Sequence, residues 1–230
     1  MIEAATAMTE SNEPMHSPDQ LKLYPADPPS EHLIIALRLA TAKAHEAIEQ
    51  LPIMRRLTSQ TVTRNDYRDY LLAMASVYTI VEKTLYEGMD DALRERLGLR
   101  PKLPALLLDL EELEEPWCSP GLGADDCGRD AGGFNPSGTS AVVGGLYTLE
   151  GATLGGRTIA RQLRRTLGSG LGTARFLDFH GEHTATAWKR FSGVLDELCA
   201  DGTVVPEEAI NGALATFDYL HAALGQASAP

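Results

Sequence analysis

Nowhere in this 230-residue chain does an apolar run approach the ~20 residues that a membrane-spanning helix needs. Basic residues are also in short supply, with 20 Lys and Arg against 32 Asp and Glu and a net charge of −12. That leaves no basic surplus to neutralise phosphates, so general nucleic-acid binding is excluded. An acidic protein that takes an anionic ligand must do so through a local basic patch. Cysteine is scarce and odd in number, at three. Cys118 and Cys127 fall in a loop segment and Cys199 near a helix end, which reads as reduced thiols in a cytoplasmic protein, with a Cys118–Cys127 bridge as the alternative. The opening MIEAATAMTESNEPMH lacks the basic start and apolar centre of a secretion signal. No segment alternates like a strand, no repeat period appears, and no G-x-G-x-x-G follows a strand, so a nucleotide-binding signature is absent.

What is present is a helical pattern of ordinary globular composition, 43% hydrophobic and 23% charged. Residues 1–30 are polar, aperiodic and rich in proline, which predicts a mobile leader. Residues 31–225 read as one all-α domain, a helical bundle around a single core. Ser30 is a candidate cap for the first helix, and Pro52 predicts a break near Leu51. Thr63-Arg64-Asn65-Asp66 announces a helix from about Arg64 to Tyr86, with Tyr67, Tyr70, Leu71, Met74, Val77, Tyr78, Val81 and Leu85 as its apolar stripe. Further helices are expected near 90–97, 104–113, 140–167, within 171–199, and from Pro206 onward. Between them, residues 114–140 turn to Pro, Gly, Asp and Cys, an irregular loop of unusual length for a compact domain.

One residue of the first helix looks misplaced. In EHLIIALRLATAKAHEAIEQ, Leu33, Leu37, Ala40, Ala44, Ile48 and Leu51 recur at helical steps and form a seam. His45 lies on the flank of that seam, with Thr41 and Glu49 one turn to either side and Arg38 two turns back. At ~1.5 Å per residue, Arg38 and His45 are ~10 Å apart along the axis. That matches the reach from the centre of a large flat ligand to its anionic edge. A lone helix histidine is otherwise a packed or surface residue, and both readings stand on this stretch alone.

The second unusual stretch is GGLYTLEGATLGGR, residues 144–157. Its leucines and Tyr147 fit a helix, yet Gly151, Gly155 and Gly156 sit inside it at ~1 kcal/mol each relative to alanine. Gly151 and Gly155 share a face without Cβ atoms, suited either to tight helix packing or to a flat ligand lying on the backbone. Arg157, Arg161, Arg164 and Arg165 follow, as ligand contacts or as partners for the excess acids.

With both stretches in view, LRLATAKAHEAIEQLPIMRRL and TRNDYRDYLLAMASVY resemble the proximal-helix region of heme oxygenases. LYTLEGATLGGRTIARQL resembles their distal helix, particularly in the bacterial branch associated with bacteriophytochromes. The likeness spans roughly Leu33 to Leu224. It implies that His45 is the iron ligand, that Glu49 bonds the other ring nitrogen of that histidine, and that Arg38 meets a heme propionate. It also implies that Gly151, Gly155 and Gly156 line the distal side, with further propionate contacts from Lys189 and Arg190. Many members carry an aspartate after the first distal glycine. Ala152 stands there here, leaving Glu150 and Thr153 as the nearest polar residues, and Glu150 joins Gly151 and Gly155 as a catalytic candidate.

The implied reaction uses heme b as substrate and cofactor, O2 and an external reductant, and yields biliverdin, iron and carbon monoxide. A ferredoxin or a reductase is the implied electron donor, and a bacteriophytochrome the implied recipient of the product. Two alternatives remain at this stage. One is a non-catalytic heme carrier on the same scaffold. The other is a related all-α enzyme without heme, using Cys199 as a nucleophile or a di-iron cluster of the kind hinted at by His180-Gly-Glu-His183.

Overall fold

The computed structural model describes residues 32–114 and 134–227. The leader, the Ser30 cap, most of the 114–140 loop and the Cys118–Cys127 pair lie outside the described residues. Within them the chain is all-α and contains no strand: α1 (Leu33–Glu49), α2 (Pro52–Leu57), α3 (Arg64–Glu87), α4 (Asp91–Leu97), α5 (Leu103–Glu112), α6 (Thr139–Leu167), α7 (Thr184–Ala200) and α8 (Pro206–Gln226). Short 3₁₀ turns occupy Gly168–Leu171 and Gly181–His183. No described helix is long and apolar enough to cross a membrane.

Local chemistry sets the boundaries. Pro52 opens α2 at its first turn, where its missing N–H costs nothing, and so separates α1 from α2. Thr63 and Asp66 form a reciprocal capping box at the start of α3. The whole predicted stripe of α3 is buried. The Tyr67 hydroxyl donates to Asp109 at 3.5 Å, and Asp109 also accepts from the backbone N–H groups of Arg175 and Phe176 at 2.9 and 2.8 Å. That buried carboxylate ties α3, α5 and the 172–179 segment together.

The centre of the molecule is the packing of α6 on α8. A Cβ on Gly144 would stand 1.8 Å from the Ala209 carbonyl oxygen, and one on Gly212 would stand 2.1 Å from the Ala141 carbonyl oxygen. Neither approach leaves room for a methyl group, so these glycines let the two backbones touch. Helix α8 also carries α1, and α7 packs on both α1 and α6. Helices α1 and α6 are therefore held side by side on a common base.

The seam of α1 differs from expectation in one respect. Leu33, Leu37 and Thr41 are buried, whereas Ala40 is exposed and Ala44 and Ile48 are only half-buried. Beyond Thr41 the inner side of α1 turns away from the core. At the other end of the helix, Asp196 of α7 accepts from the Ile34 N–H at 3.4 Å and lies 3.2 Å from His32 Nδ1, serving the first orphan donors.

Candidate active site

Two contacts join α1 and α2 to α6 and define what lies between. The Thr41 hydroxyl, which donates to the Leu37 carbonyl at 2.8 Å, lies beside the Tyr147 hydroxyl. Farther along, the Gln162 side-chain amide donates to the carbonyls of Thr58 and Ser59 at 2.7 and 3.4 Å, at the end of α2. Tyr147, Gly151, Gly155, Thr158 and Gln162 recur at steps of three and four, one stripe of α6. The contacts at its two ends are fifteen residues apart, ~22 Å at ~1.5 Å per residue.

Both contacts advance in the same chain direction, so the α1–α2 segment and α6 run past each other in the same sense. His45 is one turn beyond Thr41, and Gly151 is one turn beyond Tyr147. Glu49 and Gly155 stand one further turn along their respective helices. The register therefore sets His45 and Glu49 at the level of the two glycines.

The glycines of α6 divide into two kinds. Nothing lies within 4 Å of the position a Gly155 Cβ would take, and at Gly151 only the Trp188 ring comes near, at 3.8 Å. These two form an open wall. A Cβ on Gly156 would meet the Leu177 carbonyl oxygen at 2.7 Å, and one on Gly145 the Leu85 side chain at 2.6 Å. The expectation that Gly156 lines the distal side is corrected accordingly: its missing side chain makes room for the 176–178 backbone.

Opposite this wall, the His45 side chain is 60% exposed, and its Nδ1 lies 3.6 Å from Glu49 Oε1. Glu49 thus stands on the Nδ1 side of the ring, beyond hydrogen-bond distance, and Nε2 is left open. The Phe217 ring from α8 stands edge-on to the imidazole at a centroid distance of 6.1 Å. Arg38 is exposed one turn before the Thr41 contact. Burial raises the Tyr147 hydroxyl above its ordinary pKa, with the Thr41 bond and the Arg38 charge acting in the other direction. Arg38 thus lies on the Tyr147 side of the cleft.

Other expected site residues lie elsewhere. Glu150 is buried and turned to the back of α6, where it pairs with Lys102 Nζ and with His180 Nε2 at 3.3 Å. Its place one residue before Gly151 rotates it ~100° away from the glycine stripe. Thr153 is also buried, its hydroxyl donating to the Glu150 carbonyl at 2.7 Å. The expectation of a direct contact from Arg190 is corrected as well. Its Nη2 donates to the carbonyl of Glu95 at 2.6 Å, serving the C-terminal end of α4. Lys189 is exposed on α7. Arg157 and Arg164 face Asp178 at 3.8 and 2.8 Å, whereas Arg161 and Arg165 are exposed on α6. Sequence reading missed Tyr147, Gln162, Trp188 and Phe217. The first two were within reach of pattern alone, because they continue the stripe of Gly151 and Gly155.

An open histidine facing a bare backbone, with a basic group ~10 Å to one side, fits a flat anionic macrocycle bound edge-in through a central metal. The comparisons with known proteins agree. The heme oxygenase family model matches residues 31–120. A heme oxygenase of Xanthomonas campestris pv. campestris (strain 8004) is 32% identical over 132 residues, covering 57% of this chain and 72% of that protein. The fold is similar to the NO- and CO-bound heme oxygenase of Neisseria meningitidis, with a TM-score of 0.64 at 20% identity over 85% of this chain and 92% of that one. It is also similar to the heme oxygenase of Leptospira interrogans, with a TM-score of 0.65 at 18% identity over 85% of this chain and 99% of that one. Heme oxygenase-1 from the cyanobacterium Synechocystis, solved in complex with heme, gives a TM-score of 0.59 at 17% identity over 85% of this chain and 91% of that one. Sequence relationship and fold together make this chain a member of the heme oxygenase family.

Proposed function

We propose that the cleft between α1 and α6 binds heme b as substrate and cofactor, and that the protein is a heme-degrading oxidoreductase. With O2 and electrons from an external donor, it opens the ring to biliverdin and releases iron and carbon monoxide. The observation that carries this reading is the level of His45 with Gly151 and Gly155, an open imidazole nitrogen across from a wall without side chains.

Heme, when bound, supplies the oxygen chemistry; the protein supplies ligation, orientation and a shaped cavity. His45 would offer Nε2 to the heme iron. Glu49, 3.6 Å from Nδ1, would have to close to a hydrogen bond there to fix the tautomer and make the ligand more basic. Arg38 pairs with a propionate at the Tyr147 end. Gly151 and Gly155, without side chains, would leave room on that face of the cleft for heme and a small molecule such as O2. The Thr41–Tyr147 contact closes one end of the slot and Gln162 the other. Lys189, exposed on α7, remains a candidate propionate partner. His180 is tied to Glu150, whereas His183 is exposed at the start of α7, and the described residues bring no group of three or more His, Cys, Asp or Glu together that could hold a metal.

The resemblance of Leu149-Glu150-Gly151 to the bacteriophytochrome-associated branch supports a bilin-supplying role for the product. The test is an aerobic turnover. Ferric heme titrated into the protein gives a Soret band, and ascorbate with air removes that band while a biliverdin band grows. His45→Ala loses both signals. A Soret band that persists under reductant and air identifies a heme carrier instead. Adding an apo-bacteriophytochrome to the finished reaction tests the recipient, since uptake produces far-red absorbance and no uptake rejects that role.

A further inference from the structure

Behind the glycine wall, on the side of α6 turned from the cleft, lies a buried ionic cluster. Lys102 is 2% exposed and Glu150 6% exposed, and the Lys102 ammonium donates to Glu150 Oε1. His180, with only 6% of its side chain accessible, places Nε2 3.3 Å from Glu150 Oε2. Its other nitrogen, Nδ1, is 3.3 Å from Arg100 Nη2. A guanidinium has donors only, so Nδ1 accepts, and the neutral imidazole donates from Nε2 to Glu150. Glu82 accepts from the backbone N–H groups of Lys102 and Leu103 at 2.6 and 2.9 Å, which fixes Lys102 at the start of α5. The rings of Phe179 and His180 meet edge-on at 4.9 Å, and the Arg100 and Lys102 cations lie 4.8 and 5.2 Å from the Phe179 centroid.

Two carboxylates thus face one buried ammonium, the Arg100 charge at the rim and the N-terminus of α5, a balance that needs no charge on His180. Burial pushes the Glu150 carboxyl up, but the His180 bond and the Lys102 charge outweigh it and leave the group below its ordinary value. The front of α6 carries no side chain at Gly151 and Gly155, so between the Tyr147 and Gln162 contacts nothing on the cleft side keys this turn of the helix. Whatever fixes the rotation of this turn must act from behind.

We propose that Lys102, Glu150 and His180 are positioning residues that lock the rotation of α6 over the cleft, with Arg100 fixing the His180 tautomer. The lock rests on the reading of the cleft as a heme site. Its consequence there is a single, fixed relation between the distal backbone and the macrocycle, and hence one site of ring opening.

Two readouts test it. In the ligand-free protein, amide hydrogen exchange across Gly151–Gly156 rises about tenfold in His180→Ala and Glu150→Gln relative to Val142–Thr148 of the same helix. His180→Gln, which retains a donor to Glu150, stays near the wild-type rate. In the heme-loaded protein, the same two variants yield a mixture of biliverdin isomers where the wild type yields one. Unchanged exchange and an unchanged single isomer in both variants overturn the lock. Should either variant fail to fold, Arg100→Ala removes only a rim donor and is expected to move both readouts in the same direction; no movement overturns the proposal equally. A wild type that turns over no heme refutes the heme reading, while the exchange data still judge the lock.

Discussion

Gln162 of α6 donates its side-chain amide to the Thr58 carbonyl across 2.7 Å, joining the end of α2 to the distal helix. The acceptor is one of the last carbonyls of α2, a group with no partner inside its own helix. The contact sits at the level where the slot must close if a ligand is to be held between two helices that share only a base. Its counterpart, Thr41 with Tyr147, closes the opposite end.

Removing the Gln162 amide therefore acts on the ligand more than on the fold. A half-exposed hydrogen bond contributes ~1 kcal/mol to stability, so Gln162→Ala is expected to unfold within a few degrees of the wild type. Heme dissociation, followed by transfer to apomyoglobin, is expected to accelerate about tenfold. Gln162→Glu sets a carboxylate against two carbonyls and dissociates faster still. Equal rates in all three proteins would falsify the closure at this end.

The two kinds of glycine separate packing from ligand space. No atom lies within 4 Å of the Cβ that Gly155→Leu adds, so the fold is expected to be retained while heme or oxygen access is blocked. Gly144→Ala places a methyl 1.8 Å from the Ala209 carbonyl oxygen and forces α8 away. Overpacking of that kind costs ~1–3 kcal/mol or more. The expected result is a crossed pattern: normal thermal midpoint with lost turnover at position 155, and a lowered midpoint at 144. Normal turnover in Gly155→Leu rules out the open wall as ligand space.

How much of this was legible beforehand follows from where each signal lives. The α3 stripe, its capping box and the Pro52 break are local, and the structure matches them because one helix face meets one core. The seam of α1 was misread at Ala40 because helical periodicity marks an inner side without telling core from cleft. Glu150 and Arg190 were placed near the ligand through neighbours in sequence. A helix turns ~100° per residue, and long-range partners decided their directions: Lys102 and His180 for one, the end of α4 for the other. No spacing rule connects residue 102 to residue 150. Gln162 and Tyr147 lay on a visible stripe, but their partners Thr58 and Thr41 become evident only after folding.

The Glu150 pair also sets a pH dependence. Its folded pKa is lowered from 4.5, with burial opposing and the His180 bond and Lys102 charge prevailing. A carboxyl lowered by folding contributes stability that is fully present above the unfolded value and is lost as pH falls through the folded one. Urea midpoints are therefore expected to drop below pH 4.5 more steeply in the wild type than in Glu150→Gln, which has no such proton to gain. Above pH 5 the difference between the two proteins stays constant. Parallel curves from pH 6 down to pH 3 contradict the lowered value.

Electron delivery gives the last prediction. The chain carries a net charge of −12, yet Arg161 and Arg165 stand exposed on α6 beyond Gly155, close in sequence to the Gln162 contact with α2. The last turn of α2 adds Arg55, bonded to the neutral Gln50, and Arg56, 3.4 Å from Asp66. A basic patch on an acidic surface steers an acidic partner and repels it elsewhere. An acidic ferredoxin is therefore the donor expected to dock here. Reversing the charges in Arg161→Glu/Arg165→Glu should raise KM for ferredoxin about tenfold and flatten its dependence on ionic strength. Turnover driven by ascorbate, which needs no protein contact, should remain at the wild-type rate. Loss of the ascorbate-driven reaction would place these arginines in the heme site itself, and an unchanged ferredoxin KM would move the docking surface to another face.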